Sequence, residues 1–110
     1  MENYNRNPAT VPQRAANDGW DGKVIWEFRL YVAGSTPNSR LAISNLQTIG
    51  RVYLDNCMRV EIIDLLEEPQ RVIEDDIIVT PTLVRLLPGP VRKIIGNLND
   101  FQQVMLSLDL

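Results

Sequence analysis

The 110-residue sequence has no histidine. The commonest general base and the commonest transition-metal ligand are therefore missing. No Ser-His-Asp or Cys-His arrangement can be assembled within the chain, and neither can a zinc site of cysteines and histidines. Cysteine is nearly absent too. Cys57 stands alone, which excludes an internal disulfide and makes a cytoplasmic location the default expectation. Basic residues are not in excess. A net charge of −3 argues against a nucleic-acid partner, whose binders usually present a basic face. No run approaches the roughly 20 apolar residues of a membrane span. Met1 to Arg6 holds no apolar run, so no secretory signal is expected.

What is present suits one globular domain. Hydrophobic residues make up 45% of the chain and charged residues 23%, enough for a single core without metal or disulfide. Residues 1–23 are polar and are expected to form a disordered tail, with Trp20 as its one possible anchor. The folded domain is expected over 24–110.

Val24 to Val32 alternates. Trp26, Phe28, Leu30 and Val32 share one face, and Ile25, Glu27, Arg29 and Tyr31 the other, which predicts a strand. Its second face is only partly polar, so a central strand covered on both sides is expected. Thr36 before Pro37 reads as a helix cap followed by a first-turn proline. Ala42, Leu46, Ile49 and Tyr53 then recur at helical spacing as a core face, and Gly50 weakens that helix without ending it. Met58 to Asp64 reads as a second strand, which completes a βαβ unit with parallel strands.

Pro69 is placed to open a short helix with Val72 and Ile73 facing inward. Six acids (Asp64, Glu67, Glu68, Glu74, Asp75, Asp76) surround Arg71 there. A solvated acidic face is the expectation, because the spacing matches no calcium loop. Two β-branched runs follow, Ile77–Leu87 and Val91–Ile95, divided by Pro88-Gly89-Pro90. They read as strands joined by a tight turn, although short apolar runs also suit buried helix. Asn97 or Asn99 would cap a last helix carrying Phe101, Val104, Met105 and Leu108.

The order β-α-β-α-β-β-α is an α/β, thioredoxin-like architecture. Enzymes of that fold place Cys-x-x-Cys at the start of the first long helix, where the helix dipole lowers a thiol pKa. Here the place reads Gly34-Ser-Thr-Pro-Asn-Ser39, with no thiol. Dithiol exchange is excluded, and a monothiol role for Cys57 is the remaining redox reading. Thr80-Pro81 stands where such folds carry a cis proline beside the redox site, so Pro81 is the cis candidate.

Leu30-Tyr-Val-Ala-Gly-Ser-Thr-Pro-Asn-Ser39, Ile62-Ile-Asp-Leu-Leu, Glu68-Pro-Gln70, Thr80-Pro-Thr-Leu83, Pro90-Val-Arg-Lys-Ile-Ile-Gly96 and Leu108-Asp-Leu110 together resemble the KaiB family of circadian clock proteins. The resemblance covers about Val24 to Leu110. It implies a non-enzymatic binding protein without cofactors that docks on the hexameric ATPase KaiC. In cyanobacteria that complex sequesters KaiA and competes with the sensor kinase SasA. The resemblance also implies a metamorphic chain, with a second packing of the C-terminal half in a resting homo-oligomer, a dimer or tetramer. Arg85, Arg92 and Lys93 match basic positions used against the partner, Gly96 matches the switching hinge, and Asn97 stands where Asp is usual. Asp76 replaces a basic residue. The family's acidic C-terminal tail is not in the sequence, and the N-terminal segment is longer than in clock members. Both departures point to a paralogue in stress or other signalling as the alternative reading.

Overall fold

The computed structural model describes residues 24–109, so the tail expected over 1–23 and the role of Trp20 lie outside the described residues. Seven elements follow in order: β1 (Trp26–Val32), α1 (Pro37–Tyr53), β2 (Met58–Asp64), α2 (Arg71–Glu74), β3 (Thr82–Leu87), β4 (Arg92–Ile95) and α3 (Phe101–Ser107). The sheet order is β2-β1-β3-β4. β1 pairs with β2 in parallel, Trp26 opposite Met58 through Val32 opposite Asp64. β3 runs antiparallel to β1, and β4 antiparallel to β3. The alternating first strand is central, and its two faces feed two cores. Phe28, Leu30 and Val32 pack with Ala42, Leu46 and Ile49 of α1, with Leu83, and with Leu98, Val104 and Leu108 around α3. Tyr31 joins Ile63, Leu65, Ile77 and Val84 on the α2 face.

Helix α1 starts as its residues dictate. Thr36 is extended at the cap, its hydroxyl accepts from the Ser39 amide, and Pro37 fills the first turn. The helix runs through Gly50, where a side-chain carbon would meet the end of Met58. Tyr53 departs from expectation. It lies in the last turn, half exposed at 49%, because the core contact of α1 has already passed to Leu54.

Three further expectations need correction. α2 opens at Arg71, and its Val72 and Ile73 point to solvent instead of inward, Ile73 being 86% exposed. A single turn has only one anchor to spare, and Ile77, tied to Val72 by a backbone hydrogen bond of 3.0 Å, supplies it. The strand expected from Ile77 begins only at Thr82, because residues 77–81 are taken up in descending from α2 to the sheet. The cap of α3 is Asp100, whose carboxylate accepts from the Gln103 amide at 3.2 Å. Asn97 instead accepts from the Asn99 amide at 3.0 Å, one turn earlier.

Candidate partner-binding site

The hairpin β3–β4 carries the basic residues singled out in the sequence. In a strand, alternate side chains face opposite sides. Arg92 lies across from Arg85 and Lys93 across from Val84, so the three do not share a face. Arg92 stays half exposed beside the end of α3 and pairs with Asp109 at 3.4 Å. Lys93 lies on the α2 face and donates to the Asp76 carbonyl at 3.2 Å.

Arg85 departs from the expectation of a surface residue. It is 2% exposed. Its guanidinium sits 5.5 Å over the Trp26 ring. It donates to the Leu108 carbonyl and, at 2.9 Å, to the Pro90 carbonyl, and lies 3.7 Å from Asp109. Only Nε lacks a partner. A planar fork that reaches two carbonyls and an aromatic face suits a buried arginine. Arg85 therefore ties the end of α3 and the Pro88–Pro90 turn to the sheet, with no cationic surface left for a partner in this packing.

The hinge residues follow β4. Gly96 adopts φ +118°, a region where a side chain is strained, and its amide donates to the Pro81 carbonyl at 2.9 Å. Space around it is open: an added Cβ would meet nothing within 4 Å. Asn97 bridges to α1, accepting from Asn45 at 2.9 Å through its carbonyl and donating to Asn38 at 3.2 Å through its amide. Leu98 is then left-handed, φ +64°, yet buried in the core. The Thr80–Pro81 bond is cis, as are Leu87–Pro88 and Gly89–Pro90.

Opposite Lys93, the acidic stretch is braced. Tyr31 donates to Asp75 at 2.6 Å, and Arg71 Nε donates to the same carboxylate at 2.9 Å while Nη1 meets Glu68 at 3.3 Å. The Tyr31 hydrogen bond holds the Asp75 carboxyl below the usual carboxylate range, helped by Arg71. Burial, with Asp75 beside it, raises the Tyr31 phenol. Asp64 is also occupied: it accepts from the Gly34 and Leu66 amides at 2.9 and 3.0 Å. Among the described residues no group of acids, cysteine or histidine is arranged to hold a metal ion.

Where a dithiol would sit in an oxidoreductase of this fold, the residues hold each other. Thr36 donates to the buried Ser39 hydroxyl at 2.8 Å, and that oxygen accepts from the Ala33 amide at 3.1 Å. Cys57, half-buried, precedes β2 at the opposite end of the sheet, its carbonyl bound to the Trp26 amide. Trp26, Asp109, Asn38, Asn45 and the Tyr31–Asp75 pair were not legible as partners. They lie between 17 and 59 positions from the residues they hold, whereas the i,i+3 and i,i+4 spacings of Glu68, Arg71 and Asp75 signal their contacts locally.

The KaiB domain matches residues 29–110 of this sequence. This chain belongs to the KaiB family. The circadian clock oscillator protein KaiB of Gloeothece citriformis is 49% identical over 83 residues, covering 76% of this chain and 78% of the relative. That of Nostoc punctiforme is 46% identical over 88 residues, covering 80% and 85%. Among solved structures, the N-terminal domain of Synechococcus elongatus SasA superposes with a TM-score of 0.61 at 22% identity, covering 94% of each chain. Mitochondrial thioredoxin 3 of Saccharomyces cerevisiae gives 0.60 at 22% identity over 77% of this chain and 78% of its own. The fold is thus thioredoxin-like. With one cysteine in the whole sequence, this KaiB-family chain carries no dithiol motif.

Proposed function

We propose that this KaiB-family chain is a non-enzymatic clock regulatory protein that docks on a KaiC-type ATPase in the cytoplasm and modulates its phosphorylation cycle and output. The observation that carries this reading is identity of 46–49% to clock KaiB proteins over about four-fifths of their length. The helix start that serves chemistry in redox relatives is closed here by Thr36 and Ser39, which supports binding over catalysis. The frame shared with the SasA domain supports competition with a sensor kinase for one ATPase surface, and KaiA is a further partner where it is present. Arg92 and Lys93, on the exposed edge strand, are the proposed contacts; Arg85 acts by holding the hairpin.

A resting dimer or tetramer with a different packing of residues after β2 belongs to the same proposal, with Gly96 and Asn97 as its hinge. Open space at Gly96, and a β4 of only four residues, support a segment that can re-pair. The paralogue reading keeps the same docking and changes the output, and Asp76 in place of a base favours it. The test is size-exclusion chromatography with a cognate KaiC-type ATPase and ATP. Slow co-elution is expected, because a rarely populated competent state delays binding. No co-elution after long incubation, across phosphorylation mimics, would overturn the proposal.

A further inference from the structure

The acidic stretch carries apolar side chains that the fold leaves in water. Ile73 is 86% and Ile78 88% exposed, with Val72 at 38% and Val79 at 43%. They form two adjacent pairs on either side of one turn, which the Ile77 amide closes onto the Val72 carbonyl and the Asp76 amide onto that of Ile73. The segment is held firmly. Ile77, 5% exposed, is pinned among Tyr31, Ile63, Leu65 and Val84, and Asp75 is clamped by Tyr31 and Arg71. Large β-branched side chains displayed from a braced turn mark a contact surface more readily than scattered exposed residues do.

The charge around this turn states what can cover it. Six acids and Arg71 give residues 64–76 a net charge of −5 in a chain of −3, so the rest of the chain carries +2. Arg71 is already bound to Glu68 and Asp75, and Asp64 to two amides, which leaves Glu67, Glu74 and Asp76 exposed at the border. Lys93 reaches this border through the Asp76 carbonyl, and Arg29 lies within electrostatic reach of Asp75. Anionic lipid and nucleic acid are repelled by such a rim. A second copy applied face to face would set two acidic rims together.

We infer that the Val72–Val79 turn docks a protein partner of complementary chemistry: an apolar patch bordered by lysine and arginine. Exposed isoleucines supply the buried contact, and the acidic rim steers and selects. This surface borders Lys93 and lies on the opposite side of the hairpin from Arg92, and the inference stands whether or not the ATPase reading holds.

The full-length chain can be titrated with two synthetic amphipathic helical peptides of identical leucine–alanine pattern, one with lysine on its polar face and one with glutamate. Amide NMR shifts and calorimetry give the site and the affinity. The lysine peptide is expected to bind saturably, with shifts concentrated on residues 71–79, and the glutamate peptide not to bind. Ile73→Ser with Ile78→Ser should weaken binding by about tenfold or more, since both side chains are exposed and their loss leaves the fold intact. Glu67→Lys with Glu74→Lys should weaken it several-fold and reduce its salt dependence. Shifts spread over other acids, equal binding of the two peptides, or unchanged affinity of the Ile73/Ile78 variant would overturn the inference. So would concentration-dependent self-association abolished by that variant, which would assign the surface to a second copy.

Discussion

The two halves of this molecule are built differently. From β1 to β2, regular structure dominates: two seven-residue strands in parallel register and a 17-residue helix with a matched cap. Its buried residues recur at the periods of strand and helix. From α2 to α3 the elements are short, with four, six, four and seven residues. Particular side chains hold them in place. Arg85 gathers the turn and the chain end, Asn97 bridges to α1, and Asp75 braces α2. Backbone strain joins in, since Leu98 is buried at φ +64° and Gly96 sits at φ +118°. Packing spread over many contacts tolerates the loss of any one of them; a half hung on a few polar links does not.

Arg85→Ala should separate the two halves most clearly. It leaves two carbonyls without their donor and removes the contact with Trp26. A loss of about 3 kcal/mol is expected in urea unfolding, with amide exchange rising over 98–109 while α1 stays protected. An equal rise in α1 would show that the halves are not separable. Gly96→Ala comes next. Its surroundings are open, so the penalty is conformational, about 1–3 kcal/mol, and the monomer–oligomer balance should move with it. Unchanged oligomeric state and unchanged binding kinetics would remove Gly96 as a hinge.

Asp75→Asn should cost about 1 kcal/mol near neutral pH. Because its carboxyl is held below the ordinary range, its stabilisation is complete above the unfolded-state value near pH 4 and is lost as pH falls through the folded-state value. The variant should therefore flatten the acid side of a stability–pH curve, and an unaltered curve would assign the acid sensitivity elsewhere. The smallest effect is expected in the regular half. Gly50→Ala gains helix propensity and displaces the Met58 side chain, mostly its flexible Sδ–Cε end, so the two effects oppose and its stability should lie within about 1 kcal/mol of the parent. A larger loss would show that the Met58 contact is rigid.

Legibility followed the same division. Alternation in β1, the Thr36–Pro37 start of α1 and the bounds of β2 were readable because each rests on neighbours within a turn or a strand. Beyond β2 the element order was readable and the details were not. Val72 and Ile73 have the pattern of a buried face, yet with one turn of helix only Ile77 reaches the core. Asn97 and Asn99 are acceptable caps by type, but the left-handed Leu98 moves the helix start on to Asp100. Arg85 looked like its basic neighbours in sequence. Its contacts with Trp26 and Leu108 are set by tertiary structure, and the nearby Pro90 carbonyl alone does not mark it as buried. All three cations lie on the β3–β4 hairpin, and Arg85 is buried there instead of lying on its surface.

Native-state hydrogen exchange across the whole chain tests the division of the molecule most directly. In rising sub-denaturing urea, amides of β4 and α3 should exchange through a partial opening of lower free energy than the one that exposes α1 and the centre of β1. The two sets should merge only near global unfolding. A single common opening free energy for all protected amides would contradict the account, because the C-terminal half would then be no more separable than the rest.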